Sequence, residues 1–366
     1  MKIVIAAAQY SPSLGGVQTH AREVAKRLAA THDVTVLTSS PGGTLALHDV
    51  VDGVAVRRVP TWPAAGDPFV PRGWGRAIDD LQPDCVIVDG YQSVVSARAL
   101  VGSIKRRIPT IVVYHEGANA NRLRQTLYPL QRKVLGRWFR AADRTVATAP
   151  HEMALYQREL HLDPARLLYI PNGADLPQPS TKVVVDPWHL VSIGRLEPQK
   201  RHHVVIDALA ALRAATEPWR LTIIGGGDHR DALLAQAKER GLADVVTIRR
   251  FGIDERAELA ASLQSARLVV APSLYETHPM AVIEAAALGC RVVVPEEGNE
   301  GVTGLAERGV AMAVSSDTPE ALARSLRQAL DQDFVVNRAE LHTWDDCAAT
   351  LADTIAAVLH ERSATR

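Results

Sequence analysis

Cysteine is scarce in this chain. Cys85, Cys290 and Cys347 are scattered over 366 residues, with no Cys-x-x-Cys pair and no metal-ligand spacing. That excludes a disulfide framework and suits a reducing cytoplasm. Neither sign of charge is in excess, because 41 Lys and Arg balance 41 Asp and Glu. A general nucleic-acid binder would carry a basic surplus, so no nucleic-acid partner is expected and any basic surface has to be local. No apolar run is long enough to span a bilayer. The opening Lys2-Ile-Val-Ile-Ala-Ala-Ala8 begins like the apolar region of a signal peptide, but Gln9, Tyr10 and Ser11 end it early. The expectation is a cytoplasmic protein, at most peripheral on the inner face of the membrane. Short-period repeats and low-complexity tracts are also missing.

Absent motifs narrow the chemistry. The chain has no Gly-x-x-x-x-Gly-Lys-Ser/Thr loop, no Gly-x-Ser-x-Gly elbow and no Gly-x-Gly-x-x-Gly fingerprint. P-loop phosphoryl transfer, serine hydrolysis and hydride transfer therefore lose their usual anchors. Asp331-Gln-Asp333 has the spacing of a metal-binding Asp-x-Asp pair, but it ends a helical stretch and follows no strand.

What is present is an alternation of short β-branched runs with amphipathic segments. Strands are expected at 3–8, 34–38, 54–59, 85–88, 110–114 and 167–170, and again at 190–193, 220–224, 245–248, 268–271 and 291–294. Helical patterns fill the gaps, as at 17–28 and 204–212. Several strands are apolar throughout, which fits a parallel sheet covered by helices on both faces. The fold class is α/β of doubly wound type. A chain of this length exceeds one comfortable core. The turn-rich stretch Pro171-Asn-Gly-Ala-Asp-Leu-Pro177-Gln-Pro179-Ser-Thr divides it near the middle. We expect a Rossmann-like domain over 1–173, a linker at 174–187, a second Rossmann-like domain over 188–343, and a final helix in 344–366.

Four stretches carry candidate chemistry. The first strand leads into Ser13-Leu-Gly15-Gly16-Val-Gln-Thr-His20, where Gly15 and Gly16 would let backbone approach a ligand at a strand-to-helix turn; a plain tight turn is the other reading. Ser192-Ile-Gly194-Arg195-Leu-Glu-Pro-Gln-Lys200 sets two cations where a helix is about to begin. Cations usually avoid that end of a helix, so a bound dianion is one explanation and an exposed basic turn the other. Strand 220–224 ends in Gly225-Gly226-Gly227, and Arg250-Phe-Gly252 ends the next, where it could present backbone to a base.

The most informative stretch is Ser273-Leu-Tyr-Glu276-Thr-His-Pro279-Met280-Ala281-Val-Ile-Glu284, followed by Gly289 and an apolar strand. Pro279 suits a first helical turn. Free N–H groups from Met280 and Ala281 onward would then form an anion site flanked by two carboxylates. A surface helix with two solvated glutamates is the plain alternative.

Two further features remain. His115 ends strand 110–114, where a histidine either serves a ligand or is simply a satisfied side chain. The segment 121–144 carries Arg122, Arg124, Arg132, Lys133, Arg137, Arg140 and Arg144 against Asp143 alone, with Leu123, Leu127, Leu130, Val134 and Trp138 at helical spacing. Such a helix either lies on an anionic membrane or guides a charged acceptor, or packs on the core with a solvated basic face.

Taken in order, these residues resemble the retaining glycosyltransferases of family 4, which have the GT-B fold. The resemblance covers essentially the whole chain. It rests on Gly15-Gly16, Pro171-Asn172-Gly173, Gly194-Arg195-Leu196 with Lys200, the turn at 225–227, and Glu276-x7-Glu284 followed by Ala285, Gly289 and Val292-Val293.

The resemblance implies two Rossmann-like domains facing across a cleft, with acceptor bound by the first and a UDP- or GDP-type nucleotide sugar by the second. The final helix would pack back on the first domain. The acceptor would be a glycan, a lipid-linked or a small-molecule hydroxyl. No cofactor and no metal are implied. Arg195 and Lys200 would neutralise the departing diphosphate, Glu284 would hold the ribose, Glu276 would face the sugar, Gly16 would bring its backbone to the phosphate or acceptor side, and His115 would reach the sugar or acceptor from the other domain. The chain departs from the family pattern at His278-Pro279, where an aromatic and a glycine are usual, and at Gln18, where an acid is frequent. A nucleotide-sugar epimerase or hydrolase, and a non-catalytic nucleotide-sugar-binding or membrane-scaffolding protein, are the competing readings.

Overall fold

The computed structural model describes residues 1–13, 15–62, 70–90, 93–115, 133–179, 181–213, 217–276 and 278–364. The chain forms two compact units, Met1–Gly173 together with Thr343–Arg366, and Ala174–His342.

Unit 1 is built on β1 (Lys2–Ala7), β2 (Asp33–Ser40), β3 (His48–Val51), β4 (Val54–Trp62), β5 (Val70–Pro71), β6 (Cys85–Asp89), β7 (Thr110–Val113), β8 (Arg144–Ala147) and β9 (Leu167–Tyr169). They lie in the order β3-β4-β2-β1-β6-β7-β8-β9, with β5 paired to β4. Only the β3–β4 and β4–β5 pairs are antiparallel. Ile3, Val4, Ile5, Ala6 and Ala7 are all buried. Such strands are apolar on both faces because helices cover both faces of a parallel sheet. Strand order reverses between β1 and β6, and the carboxyl ends of strands flanking such a reversal are where doubly wound sheets bind ligands.

Unit 2 is a six-stranded, wholly parallel sheet of β10 (His189–Ile193), β11 (Arg220–Ile224), β12 (Val246–Arg249), β13 (Leu268–Val270), β14 (Val292–Pro295) and β15 (Met312–Val314). The order is β12-β11-β10-β13-β14-β15, so here the reversal falls between β10 and β13. One apolar cluster, with Leu190, Leu209 and Leu326, and a second, with Val191, Leu263 and Ala285, take alternate residues of β10. Neighbouring side chains on one strand thus enter different cores, as the two-residue period of a strand requires.

Four strands escape the sequence reading: β3, β5, β8 and β15. The first two are antiparallel additions at β4, and β15 is only three residues long. β8 was hidden by its first residue, because Arg144 reads as the end of the basic segment. Residues 133–141 are helical, but Arg144 opens a strand whose next three residues are buried. The part of the basic segment at 121–132, with Arg122, Arg124 and Arg132, lies outside the described residues. Of the rest, Arg140 Nη1 donates to Leu160 O (3.1 Å), and Arg144 pairs with Glu361. Both cations are therefore occupied within unit 1, and Lys133 and Arg137 are left on the exposed face. Among the described residues no helix is long and apolar enough to cross a membrane.

The final helix, Trp344–Ala364, belongs to unit 1. Trp344, Leu351, Ile355 and Val358 are buried, and Arg362 pairs with Asp143 at 2.7 Å. The chain leaves unit 1 beside the point where it returns. A Cβ built on Gly173 would stand 2.2 Å from the backbone nitrogen of Trp344. No side chain fits between two backbones so close. Gly173→Ala is therefore expected to destabilise unit 1 by at least about 2 kcal/mol, which a shifted midpoint in chemical denaturation will show; an unshifted midpoint would mean that the two segments separate freely.

Candidate functional site

The loops at the carboxyl edge of β10, β11 and β12 are locked together by backbone. Gly194 N–H donates to Ile224 O (3.0 Å), Leu196 N–H to Gly226 O (2.9 Å), Gly225 N–H to Arg249 O (2.9 Å) and His229 N–H to Leu196 O (3.1 Å). A Cβ on Gly225 would lie 1.8 Å from the carbonyl oxygen of Gly194, and one on Gly227 would lie 2.5 Å from that of Leu196. The close approach that the glycine run admits is thus to the neighbouring turn. Arg250 lies over Gly226, its Cδ 3.1 Å from where a Cβ would be.

This lock holds the Arg195 loop in place, and His202 fastens it from below. His202 Nε2 donates to Arg195 O (3.2 Å), which leaves Nδ1 to accept from the Ser192 hydroxyl (2.8 Å). The partners fix a neutral tautomer. Burial pulls the imidazole down to about 4, and it does the same to His189 in this unit.

Arg195 itself points outward, with 57% of its side chain exposed, and pairs with Glu197. Lys200 ends a 3-10 turn, Pro198–Lys200, just before helix His202–Arg213. Its Nζ lies 2.5 Å from Glu276 Oε1. Lys200 follows β10 and Glu276 follows β13, so the pair spans the strand-order reversal. Two bonds from one side chain hold Glu276 there: its N–H donates to Asn299 Oδ1 (3.0 Å), and Asn299 Nδ2 donates to Glu276 O (2.8 Å).

The helix after Glu276 runs Met280–Ala287, and Pro279 is its N-cap, with φ −77° and ψ 78°. This corrects two expectations. Pro279 stands outside the first turn, and the Met280 N–H is not free, because it donates to His278 O at 2.9 Å. The tight bend at the proline draws that carbonyl onto the amide. The helix closes on Gly289 at φ 82°, with Cys290 N–H to Ala285 O (3.0 Å) and Gly289 N–H to Ala286 O (2.9 Å). That is a glycine-dependent left-handed cap.

Glu284 is buried, and Arg256 Nη2 meets its Oε1 at 2.5 Å. A buried carboxylate needs such a partner. Sequence reading missed Arg256. The available signal was a cation opening helix Arg256–Gln264, the same anomaly that marks Lys200.

In unit 1, Gly15 is the N-cap and Gly16 the first residue of helix Gly16–Leu28. Gly15 has φ 164°, ordinary extended backbone, so its conformation does not demand glycine. His20 on this helix is buried, as is Asp89 at the end of β6. His115, after β7, donates Nε2–H to Asp89 Oδ1 at 2.6 Å, while His20 Nδ1 lies 3.1 Å from the same oxygen. Burial by itself would raise the Asp89 carboxyl. Its interactions with His20 and His115 outweigh burial and hold the group well below the usual carboxylate range. Candidate donor atoms of these three side chains lie within 4.8 Å of one another, the one such group among the described residues. The 2.6 Å contact is a hydrogen bond, and is closer than the ~3.3 Å that two ligands keep around tetrahedral zinc. Of the residues expected from sequence, the structure thus brings Lys200 to Glu276 and Arg250 to Gly226. It gives Glu284 and His115 partners that were not foreseen.

Comparison with known proteins identifies the arrangement. Residues 14–178 match the family described as Glycosyltransferase Family 4, and residues 178–343 match Glycosyl transferases group 1. The chain belongs to glycosyltransferase family 4. It has the GT-B fold and is a nucleotide-sugar glycosyltransferase. It is 27% identical over 359 residues to a GDP-mannose:cellobiosyl-diphosphopolyprenol alpha-mannosyltransferase of Xanthomonas oryzae pv. oryzae, covering 92% of this chain and 90% of that protein. It is 28% identical over 393 residues to a GDP-mannose-dependent alpha-(1-6)-phosphatidylinositol dimannoside mannosyltransferase of Mycobacterium tuberculosis, covering 98% and 97%. Among solved structures, a sucrose-phosphate synthase from Thermosynechococcus elongatus superposes with a TM-score of 0.70 at 19% identity, over 100% of this chain and 98% of that one.

The buried histidines of this glycosyltransferase set a pH dependence. His189 and His202 titrate near 6.5 when unfolded and about 4 when folded, so the unfolded state takes up protons first as pH falls. The stability they contribute is fully present above pH 6.5 and is lost progressively as pH falls toward 4. The melting temperature should drop across that window. His202→Gln should shallow the slope without abolishing it, because His189 remains; an unchanged slope would assign the effect elsewhere.

Proposed function

We propose that this glycosyltransferase retains configuration at the transferred sugar, needs no metal, and moves a sugar from a nucleoside-diphosphate donor to a hydroxyl of a glycan, lipid-linked or small-molecule acceptor. The observation that carries the reading is the Lys200–Glu276 contact at the strand reversal of unit 2, with Arg195 on the adjoining turn. Unit 2 would hold the donor and unit 1 the acceptor. Glu284 would bind the ribose hydroxyls, Ala281 N–H a phosphate oxygen, and Gly225 with Arg250 the nucleoside end. Gly15 and Gly16 would border the acceptor, with His115 on the same side.

In the proposed step the acceptor oxygen attacks the anomeric carbon from the face that the diphosphate leaves. The bond from that carbon to the phosphate oxygen breaks, the bond to the acceptor oxygen forms, and the acceptor proton passes to the departing phosphate. No residue of the chain need form a covalent bond to the sugar. Arg195 and Lys200 stabilise the charge that collects on the leaving diphosphate, the stage at which preorganised cations lower a barrier most. Their present partners are the carboxylates of Glu197 and Glu276. A phosphate in place of Glu276 would keep Lys200 paired with an anion and release the glutamate toward the sugar. Two of the relatives matched over nearly their whole length are named for GDP-mannose and a third, a glycogen synthase of Mycobacterium tuberculosis, is not; GDP-mannose is our first choice of donor.

Glu284→Ala and Arg195→Ala are each expected to abolish transfer, the first with a lowered melting temperature because Arg256 loses its buried partner and the second with the melting temperature nearly unchanged; full turnover by either purified variant sinks the assignment. A thermal-shift series with GDP-, UDP-, ADP- and TDP-sugars should give its largest shift with GDP-mannose. A larger shift with another base would move the donor reading to that base and leave the residue roles intact.

A further inference from the structure

The buried carboxylate in unit 1 has more to do than neutralise charge. Asp89 ends β6 beside the reversal between β1 and β6, and it is reached by a side chain from each neighbouring connection. His20 comes from the helix after β1, and His115 from the end of β7. Both contacts go to the same oxygen, Oδ1. The second oxygen, Oδ2, is buried and has no hydrogen-bond partner among the described residues, and His20 Nδ1 has none of full geometry. Buried polar atoms left this way cost stability, and a fold that only needed a filled core would not keep them.

The arrangement is also held from outside. The rings of His20 and His115 meet edge to face with centroids 4.7 Å apart, and Trp344 of the final helix stands 6.0 Å from His20 on the other side. Cys347 on that helix also senses the carboxylate. Burial, with Asp89 adding to it, pushes its thiol up to about 12. The groups facing Asp89 are thus two imidazoles and one thiol that stays protonated. Among the described residues no lysine or arginine pairs with it.

Hydrogen bonding at one nitrogen of an imidazole decides what the other can do. His115 gives Nε2–H to Asp89, so Nδ1 is the nitrogen left for a ligand. Rotation of the ring about χ2 would break a 2.6 Å bond to an ionised, buried acceptor, the stronger class of hydrogen bond. We propose that Asp89 and His20 are positioning residues for His115: the carboxylate fixes the ring through Nε2 and presents Nδ1 to an acceptor hydroxyl other than the attacking one, and His20 ties the same oxygen to the helix that follows Gly15 and Gly16. The inference rests on the reading above that His115 serves the acceptor. It adds that the acceptor-side turn and the histidine form one unit that orients together.

The test combines kinetics with the imidazole nitrogen signals of the full-length enzyme. In the unsubstituted protein, the His115 nitrogen spectrum should show Nε2 carrying the proton and bonded, with Nδ1 the nitrogen that shifts when acceptor is added. Asp89→Asn should lower kcat/KM for the acceptor by up to about 100-fold, remove the preference for one His115 tautomer, and leave the affinity for the nucleoside diphosphate unchanged. His20→Ala should give a smaller loss of the same kind. His20→Asn should restore most of it, because its amide nitrogen can stand where Nδ1 stands.

Full turnover by His115→Ala would overturn the acceptor reading itself. If His115→Ala is impaired while Asp89→Asn and His20→Ala transfer normally, that reading stands and the positioning role is overturned. A His115 proton found on Nδ1 rather than Nε2, or stoichiometric zinc held by the three side chains, would overturn it even if the variants failed to fold.

Discussion

Unit 2 depends on one contact that contains no side chain, the Cα of Gly225 set against the carbonyl oxygen of Gly194. A methyl group there would come within 1.8 Å of that oxygen. Because the two turns touch, three backbone bonds can join the loops after β10 and β11 and the residues behind them. The position of Arg195, the entry to the 3-10 turn that presents Lys200, and the neutral form of His202 all follow from that fixed register. Backbone is the right material for the purpose. A side-chain prop would carry rotamer freedom, and its entropy would be lost on ordering.

Unit 1 meets the same requirement with charge. At the corresponding reversal, neither Gly15 after β1 nor Gly90 after β6 is pressed against backbone of the described residues. A single carboxylate is buried instead and shared between two histidines. Burying a charge is costly unless it is paired, and removing one partner leaves the other exposed to that cost. The pairing therefore specifies where the helix after Gly16 and the end of β7 stand relative to each other. The two solutions differ in how they fail. Crowding the glycine turn forces the backbone apart, whereas neutralising Asp89 loosens orientation first.

How much of this was legible follows from what each feature depends on. The strand at 220–224 was read to the residue, because an apolar run ending in three glycines has one sensible interpretation. Arg195, Lys200, Glu276 and Glu284 stood out by chemical type at helix starts, where local rules say what is ordinary. Arg144 was misplaced because composition classes it with its basic neighbours, while the sheet needs the Thr145-Val-Ala that follows. Asp89 was invisible. At the end of Cys-Val-Ile-Val-Asp it looks like a strand terminus, and its partners are 69 and 26 residues away in sequence. Arg256 was missed for the same reason, since its carboxylate lies 28 residues on. Pro279 was half right: a proline does mark the helix start, but the bend it makes consumes the Met280 amide that was expected to be free.

The pairings in unit 2 then suggest why the helix start departs from the family pattern without loss of the site. A helix N-terminus binds an anion through unpaired N–H groups, and here one of them is spent on His278 O. Cations fill the shortfall. Arg195 is largely exposed, and Lys200 pairs with Glu276, a carboxylate that the proposed reaction would draw toward the sugar. Side-chain charge is worth more per contact than a neutral amide when the partner is a diphosphate. A site with fewer amides and two movable cations can follow the charge as it shifts from the bridging oxygen onto the departing group. A site built from amides alone would be fixed on the ground state, and catalysis gains only from contacts that strengthen on the way to the transition state.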